Sequence, residues 1–302
     1  MNILLFATAP SNERPKIASF VFARIKVLQS MGHSVTVLQA GNILIGFPKP
    51  EGISAGQIIR FLSQCYRFIF KRKNFPLCYE QDDVKYQYYN SLYFSSYKRF
   101  KIWFNQNSFD FIHAHFLWCC NALPKIKEKC GIPFVVTAHG SDIHTNPFAS
   151  KKARKSALHI LNSADGVFFV SEFLHKKAVE LGWSGTDFLV TGNGYFSDFF
   201  YQTGKKAIDK GNVLLGFIGN PIAVKRFEIL PDVLYEVRKV FPTTQLLCVG
   251  STSQDTDLRN SARQRLEQLN LLDAVTFVDK VPYRQVPEYM RKIDILLLPS
   301  RN

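Results

Sequence analysis

Two loops of this 302-residue chain carry residue types that could bind or transfer a charged group. The first, Gly219-Asn-Pro-Ile-Ala-Val-Lys225-Arg226, lies between an apolar run at 213–218, typical of a β-strand, and a predicted helix at 224–240. A glycine at a strand end allows close backbone approach, and a helix start presents free N–H groups to an anion. Lys225 and Arg226 could supply positive charge to a phosphate leaving group. The alternative is a solvated basic pair, but the helix dipole disfavours cations at a helix start, which favours a ligand.

The second loop, Thr137-Ala-His139-Gly-Ser-Asp142-Ile-His144, follows a predicted strand at 134–137. His139 could hydrogen-bond a sugar hydroxyl or a carbonyl-like substrate oxygen, and Gly140 would let the chain turn away from the sheet. His113 and His115 end the preceding strand and share one face by strand alternation. Because no third ligand stands at a convincing spacing, a structural or substrate-facing role is favoured over a metal site. Ser171 is predicted to cap the helix that follows it.

Strands and helices alternate along the chain, which predicts an α/β protein with parallel sheets. The predicted strands are 3–7, 35–38, 109–113, 134–137, 167–170 and 188–190 in a first series, and 213–218, 245–249, 275–278 and 293–298 in a second. We expect two Rossmann-like domains, residues 1–195 and 196–302, facing each other across a cleft, with ligands at the carboxyl ends of strands. No Walker A loop or G-x-G-x-x-G occurs, which argues against ATPases and NAD-dependent enzymes.

The composition excludes several classes of protein. A hydrophobic fraction of 46% with 21% charged residues is that of a globular protein, not a disordered one. No apolar run approaches the roughly 18 residues needed to span a bilayer. The six cysteines are scattered without a C-x-x-C pair, which fits a reducing cytosol. The net charge of +14 suits nucleic acid, anionic membrane or phosphorylated small molecules.

An insertion at 55–104 concentrates basic and aromatic residues in two stretches, 60–73 and 85–104. Such helices suit the headgroup layer of an anionic membrane, and the alternative is a pair of helices whose aromatic faces pack into the domain. Stacking on single-stranded nucleic acid is a third reading, but no RNP, helix-turn-helix or zinc-finger signature supports it. We therefore expect no nucleic-acid partner and a cytoplasmic protein held peripherally on the inner membrane face.

Nine short motifs in order along the chain carry a family resemblance. They are the opening strand with its loop, Leu28-Gln-Ser-Met-Gly-His-Ser-Val-Thr-Val-Leu38, Phe109-Asp-Phe-Ile-His-Ala-His115, Val136-Thr-Ala-His-Gly-Ser-Asp142, Val170-Ser-Glu-Phe-Leu174, Gly192-Asn-Gly194, Phe217-Ile-Gly219 with Lys225, Leu247-Cys-Val-Gly250 and Ile293-Asp-Ile-Leu-Leu-Leu-Pro-Ser300. Together they resemble the family-4 retaining glycosyltransferases, which have two Rossmann domains (the GT-B fold) and move a sugar from a nucleotide diphosphate donor.

The resemblance implies a role for each candidate residue. His139 would contact the donor sugar and Lys225 the diphosphate, with Gly219, Asn220, Arg226, Val281, Tyr283 and Ser300 completing the donor site. Ala18, Ser19, His115 and Asp142 would form the acceptor side or its loops. The reaction would need no metal and no cofactor besides a UDP- or GDP-linked sugar. The acceptor would be lipid-linked or a surface polysaccharide of the cell envelope, such as lipopolysaccharide.

The chain also departs from the family pattern. The first loop reads Arg14-Pro-Lys-Ile-Ala-Ser19 where the family has a Gly-Gly element, and Asn220 stands in place of an arginine. Arg226, where a glycine is common, could restore that charge. The sequence stops at Arg301-Asn302, before the E-x7-E motif, which predicts a second domain cut short. A catalytically inactive remnant and a nucleotide-sugar epimerase of the same fold are therefore the alternatives to an active transferase.

Overall fold

The computed structural model describes residues 1–7, 19–41, 77–81, 84–90, 97–195, 197, 200–201, 211–251 and 256–301. The chain divides into two compact units, an N-terminal unit, Met1–Tyr195, and a C-terminal unit, Phe196–Asn302. Each unit has its own sheet and its own hydrophobic core.

The N-terminal unit is built on an eight-stranded sheet. Its strands are β1 Asn2–Ala7, β2 Ser34–Gly41, β3 Leu77–Gln81, β4 Val84–Asn90, β5 Phe111–His115, β6 Phe134–Ala138, β7 Gly166–Phe169 and β8 Phe188–Val190. The order is β3-β4-β2-β1-β5-β6-β7-β8, with every neighbouring pair parallel except the antiparallel pair β3–β4. Parallel strands that are buried on both faces read as apolar runs, which explains why the sequence revealed most of them.

The described helices of this unit follow the strands. They are α1 Ser19–Ser30, α2 Tyr97–Gln106, α3 Leu123–Cys130, the single turn α4 Ser141–His144, α5 Lys151–Ser163 and α6 Glu172–Glu180. Ser150 and Ser171 cap α5 and α6, because their hydroxyls accept hydrogen bonds from the backbone N–H groups of Ala153 and Leu174. The predicted cap at Ser171 is therefore present.

The basic, aromatic insertion is part of the domain where the structure describes it. β3 and β4 extend the sheet at one edge, and α2 places Phe100, Trp103 and Phe104 in the core. For the second stretch, 85–104, the described side chains therefore favour the packing alternative over membrane contact, since these three rings are turned away from solvent. Residues 60–73 lie outside the described residues. No described helix is both long enough and apolar enough to cross a bilayer.

The C-terminal unit has a four-stranded parallel sheet in the order β11-β10-β9-β12. Its strands are β9 Leu214–Ile218, β10 Gln245–Ser251, β11 Val275–Asp279 and β12 Ile295–Leu296, and its helices are α7 Leu230–Val240, α8 Thr256–Gln268 and α9 Val286–Lys292. Phe217 and Phe227, whose ring centres are 5.1 Å apart, anchor the core between β9 and the loop after it.

Two elements of the C-terminal unit differ from the sequence-based prediction. The helix expected at 224–240 begins at Leu230, after two 3-10 turns, Ala223–Lys225 and Phe227–Ile229. Arg226 between them adopts a left-handed φ of 50°, which interrupts a continuous helix. The strand expected at 293–298 is only Ile295–Leu296, and Leu298 is 66% exposed. β12 pairs with β9 only at Ile295 and Leu296, opposite Leu215 and Gly216.

Candidate functional site

His139 lies one residue beyond the carboxyl end of β6, inside a shell of aromatic rings. The ring centres of Phe20 and Phe116 lie 4.5 and 4.6 Å from that of His139. Its Nε2 is 2.8 Å from Nδ1 of His115, so one imidazole donates a hydrogen bond to the other. Phe116 has a φ of 67°, an uncommon conformation for an aromatic residue, of the kind found at functional sites. The imidazole is thus oriented on three sides by packing and a hydrogen bond.

Asp142 shapes the loop that carries His139. Its carboxylate is buried and accepts hydrogen bonds from the backbone N–H groups of His139, Gly140 and Leu117 at 2.7–3.3 Å. Burial raises the pKa of Asp142, while these backbone hydrogen bonds act in the opposite direction. Because both of its oxygens are occupied by the backbone, Asp142 is a positioning residue for the loop.

Burial lowers the pKa of three histidines at this edge, His113, His115 and His139. Burial, with added repulsion from Arg24, lowers the pKa of His139 to about 4, although a hydrogen bond with the Asn193 side chain opposes the shift. Burial, Arg24 and His139 lower the pKa of His113 to about 3. Burial, chiefly, holds the pKa of His115 well below its usual value. At neutral pH these three side chains therefore exchange hydrogen bonds but carry no charge.

The three imidazoles stack and do not converge on a point. The ring centres of His113 and His115 are 4.6 Å apart, and those of His115 and His139 are 5.1 Å apart, with the planes 23° and 20° from parallel. Nε2 of His113 is hydrogen-bonded to the Thr137 hydroxyl at 2.8 Å. In the described part of the chain no group of three His, Cys, Asp or Glu side chains has the arrangement of a metal site.

Arg24 on α1 is a member of this cluster that the sequence reading missed. Its guanidinium donates to the hydroxyls of Thr137 at 3.1 Å and Thr191 at 3.3 Å, and lies 5.9 Å from the ring centre of Phe168. Among the described residues it forms no ion pair with a carboxylate. The sequence indicated a role for Arg24 only by placing this single arginine within the apolar run Phe20-Val-Phe-Ala-Arg-Ile25. Only the pairing of α1 with the sheet shows that it reaches the histidine edge.

Lys225 and Gly219 form the candidate site of the C-terminal unit. Gly219 follows the carboxyl end of β9 with a φ of 151°, and a Cβ there would lie 2.8 Å from Nζ of Lys225. Gly250, in β10, packs equally closely, since a Cβ on it would be 2.9 Å from the carbonyl oxygen of Gly219. The ammonium group therefore rests directly on bare backbone. Within the described residues, no carboxylate pairs with Lys225.

The helix predicted to begin at this loop starts further along the chain. α7 begins at Leu230, five residues beyond Lys225, so its free N–H groups are not adjacent to Lys225 in the chain as expected. Positive charge here comes from side chains. Nε of Arg226 is buried and, among the described residues, has no hydrogen-bond partner.

The remaining residues predicted to bind the donor also follow the carboxyl ends of strands in the C-terminal sheet. The backbone N–H of Arg301 donates to the carbonyl of Val224 at 2.8 Å, which brings the exposed Ser300 beside the Lys225 turn. Asn220 is exposed directly after Gly219, and Val281 follows the carboxyl end of β11. Tyr283 begins the 3-10 turn Tyr283–Gln285.

Two residues predicted for the acceptor side or its loops, Ala18 and Ser19, have no described contact with the His139 cluster. Ser19 is the first residue of α1, and Ala18 lies outside the described residues.

Comparison with known proteins agrees with this arrangement. The model of "Glycosyltransferase Family 4" matches residues 17–195, and that of "Glycosyl transferases group 1" matches residues 200–302. The fold, a histidine loop in one α/β unit and a lysine loop in the other are those of a GT-B glycosyltransferase. The chain belongs to glycosyltransferase family 4.

Individual relatives are distant and longer. A teichuronic acid biosynthesis glycosyltransferase of Bacillus subtilis, TuaC, is 29% identical over 63% of this chain and 47% of its own length. An uncharacterized glycosyltransferase of Methanocaldococcus jannaschii is 25% identical over 69% of this chain and 54% of its own. The matches thus span about half the length of these curated relatives. The structure of Anabaena HepE in complex with UDP aligns with a TM-score of 0.70 at 15% identity, covering 100% of this chain and 75% of that one.

Proposed function

We propose that the chain is the catalytic body of a glycosyltransferase that moves a sugar from a nucleotide diphosphate-sugar to a polysaccharide or lipid-linked acceptor. The observation that carries the proposal is the Lys225 ammonium lying on the Gly219 backbone at the carboxyl edge of the second sheet. A phosphate bound there would contact a full positive charge and bare peptide groups. Charge developing on the leaving diphosphate is then stabilised where it forms.

His139 is proposed to contact the transferring sugar. The anomeric carbon of a glycosyl donor gains positive charge as the bond to the leaving group breaks. Because burial keeps His139 uncharged, it can hydrogen-bond a sugar hydroxyl without repelling that charge. Its fixed orientation between Phe20, Phe116 and His115 means that little reorganisation is needed when the sugar binds.

The finer points of the reaction are also proposals. UDP is the first donor nucleotide to test, because HepE was determined with UDP, and GDP is the second. We infer retention of configuration from the family resemblance. We infer that no metal takes part because Lys225 and Arg226 can supply the charge that a cation would otherwise bring to the diphosphate. Asn220, Val281, Tyr283 and Ser300 are proposed to line the donor site, and Ser19 and Ala18 the loop beside it.

The experiment is a transfer assay with the purified chain, a panel of UDP- and GDP-sugars, and an extract of envelope polysaccharide as acceptor. Calorimetry on the same panel measures donor binding. We expect binding of one nucleotide class, transfer that persists in EDTA, and a product of unchanged anomeric configuration by NMR. Absence of nucleotide binding at millimolar concentration contradicts the proposal.

Membrane association remains a separate proposal that rests on residues 60–73. Their five basic and several aromatic residues suit an anionic lipid surface on the cytoplasmic face. Flotation with vesicles with and without phosphatidylglycerol tests it. Replacing Arg67, Lys71, Arg72 and Lys73 by Gln should abolish flotation, whereas the same change at four exposed basic residues of the C-terminal unit, Lys239, Arg263, Lys280 and Lys292, should not.

A further inference from the structure

Two exposed phenylalanines of the N-terminal unit share a single lysine. Phe148 and Phe173 are 43% and 49% exposed, and Nζ of Lys177 lies 5.5 and 5.7 Å from their ring centres. His144 adds a fourth member, with its ring centre 6.0 Å from that of Phe173. We call these four residues the aromatic surface. The two phenylalanine rings lie within the reach of a short oligosaccharide.

The aromatic surface is continuous with the His139 loop. His144 ends α4, which begins two residues after His139, and its Nε2 would be 3.8 Å from a Cβ placed on Gly140. Phe148 closes the 3-10 turn that follows, and Phe173 lies in the first turn of α6, after the carboxyl end of β7. His144, Phe148 and Phe173 therefore follow the carboxyl ends of β6 and β7, at the sheet edge that carries His139, and Lys177 in the last turn of α6 reaches both phenylalanine rings.

The charge around this surface is positive. Lys151 and Lys152 at the start of α5, shortly after Phe148 in the chain, and Lys176 on α6, three residues after Phe173, are exposed, and Lys177 lies near both rings. Two carboxylates oppose them: Glu180 pairs with Lys177 at 2.7 Å, and Glu172 lies 3.8 Å from Nδ1 of His175. Cations thus outnumber anions, so a ligand with negative charge is favoured.

Aromatic rings with adjacent cations suit a sugar that carries a carboxylate or phosphate. One face of a pyranose is lined by C–H groups, which pack on the negative face of an aromatic ring. A lysine beside the ring can then pair with the acidic substituent of the same sugar. A membrane is the competing partner, but the rings lie against Lys177 and beside the His139 loop, where an acceptor hydroxyl must arrive.

We propose that the aromatic surface is a binding subsite for an acidic oligosaccharide, the acceptor chain. This rests on the proposed function, because it names the class of acceptor that the transferase would elongate. Phe148 and Phe173 stack on successive parts of the chain, Lys177 exchanges its exposed partner Glu180 for an acidic group of the sugar, and His144 leads the chain end toward His139.

The test is binding measured without any donor. Calorimetry compares hexagalacturonic acid with maltohexaose, its neutral counterpart of equal length. The wild type should bind the acidic hexasaccharide at least 10-fold more tightly. Phe148→Ala and Phe173→Ala should each weaken that binding about 10-fold, and Lys177→Met should remove the preference for the acidic chain. Tyr235→Ala and Lys239→Met, from a cation–π pair at 4.6 Å in the C-terminal unit, are the matched controls and should have no effect.

Several results would overturn the subsite. These are no binding of hexagalacturonic acid, equal affinity for the two hexasaccharides, or unchanged affinity in all three variants whose unfolding midpoints match the wild type. Binding to phosphatidylglycerol vesicles that is lost in Phe148→Ala and Phe173→Ala would assign the surface to a membrane instead. The proposed function is judged separately: transfer without hexasaccharide binding refutes only the subsite, and hexasaccharide binding without nucleotide binding refutes only the transferase.

Discussion

The loop of His139 in the N-terminal unit and the loop of Lys225 in the C-terminal unit differ in the charge that they present to a ligand. Around His139 the N-terminal unit removes charge, since burial keeps His113, His115 and His139 neutral and backbone N–H groups occupy Asp142. The edge of the C-terminal unit presents charge, since Lys225 lies on a glycine backbone with no described carboxylate beside it. The difference shows a division of work between two loops: the loop of His139 orients a neutral group, and the loop of Lys225 attracts an anion.

The largest expected effect comes from removing the charge in the C-terminal unit. Lys225→Ala should lower transfer by about 10²–10³-fold and weaken nucleotide binding, because a preorganised charge at the leaving group is lost. Its stability should stay within about 0.5 kcal/mol of the wild type. Steady-state transfer and calorimetry measure the two effects. Lys239→Ala is the control, and equal activity of the two variants would remove Lys225 from the site.

The next effect concerns the carboxylate that positions the N-terminal loop. Asp142→Ala should reduce the free energy of unfolding by roughly 3 kcal/mol, because three backbone N–H groups lose their acceptor. Asp142→Asn, which keeps one acceptor oxygen, should lose less. Urea denaturation monitored by circular dichroism measures both, with the exposed Asp273→Ala as control. An Asp142→Ala variant as stable as the control would contradict a positioning role.

A pH effect should distinguish the neutral cluster from the charged edge. The folded-state pKa of His113 is lowered from 6.5 to about 3, so the unfolded chain takes up the proton first as the pH falls. Stability is therefore complete above pH 6.5 and decreases below it, by about 1.4 kcal/mol per pH unit for each such histidine. His113→Gln keeps a donor near Thr137 but cannot titrate, and should flatten the dependence of the unfolding midpoint on pH. The exposed His159→Gln should leave it unchanged, and equal slopes in both variants would count against a neutral cluster.

The smallest expected change is in the free energy of unfolding when a helix loses its N-terminal cap, and it is expected in the N-terminal unit only. Ser171→Ala should cost about 1 kcal/mol, because the first turn of α6 loses its side-chain acceptor. α7 of the C-terminal unit begins without a side-chain cap and with Pro231 in its first turn, so Ile229→Ala, at the matching position, should not remove a cap. Denaturation curves of the two variants provide the comparison. A stability loss as large in Ile229→Ala would show that capping does not separate them.

The sequence predicted much of the fold because its evidence was local. Apolar runs located all six strands predicted for the first unit and four for the second, with small errors at the ends except at 293–298. β4 was missed because its tyrosines were assigned to an amphipathic helix in the stretch 85–104, and β3, at 77–81, lies between the two stretches and was not predicted. The helix at 224–240 was placed too early because Arg226 adopts a left-handed conformation that no residue pattern indicated.

The candidate site was predicted only in part. His139 and Lys225 were identifiable from their positions after strands and from the family motifs. Asp142 was grouped with the acceptor side or its loops, and its hydrogen bonds to the backbone assign it to the loop. Arg24 was missed because its partners, Thr137 and Thr191, are more than a hundred residues away in the chain.

The sequence by itself determined the family, the strand–helix alternation and the position of the two candidate loops, because these depend on the period and order of residue types. Tertiary structure alone decided the charge state of the His139 side chain and the surroundings of the Lys225 ammonium group. The neutrality of His139 depends on burial and on Arg24, and the placement of Lys225 on Gly219 depends on a turn conformation. Desolvation and close packing are properties of groups brought together from distant parts of the chain, so no local pattern contains them.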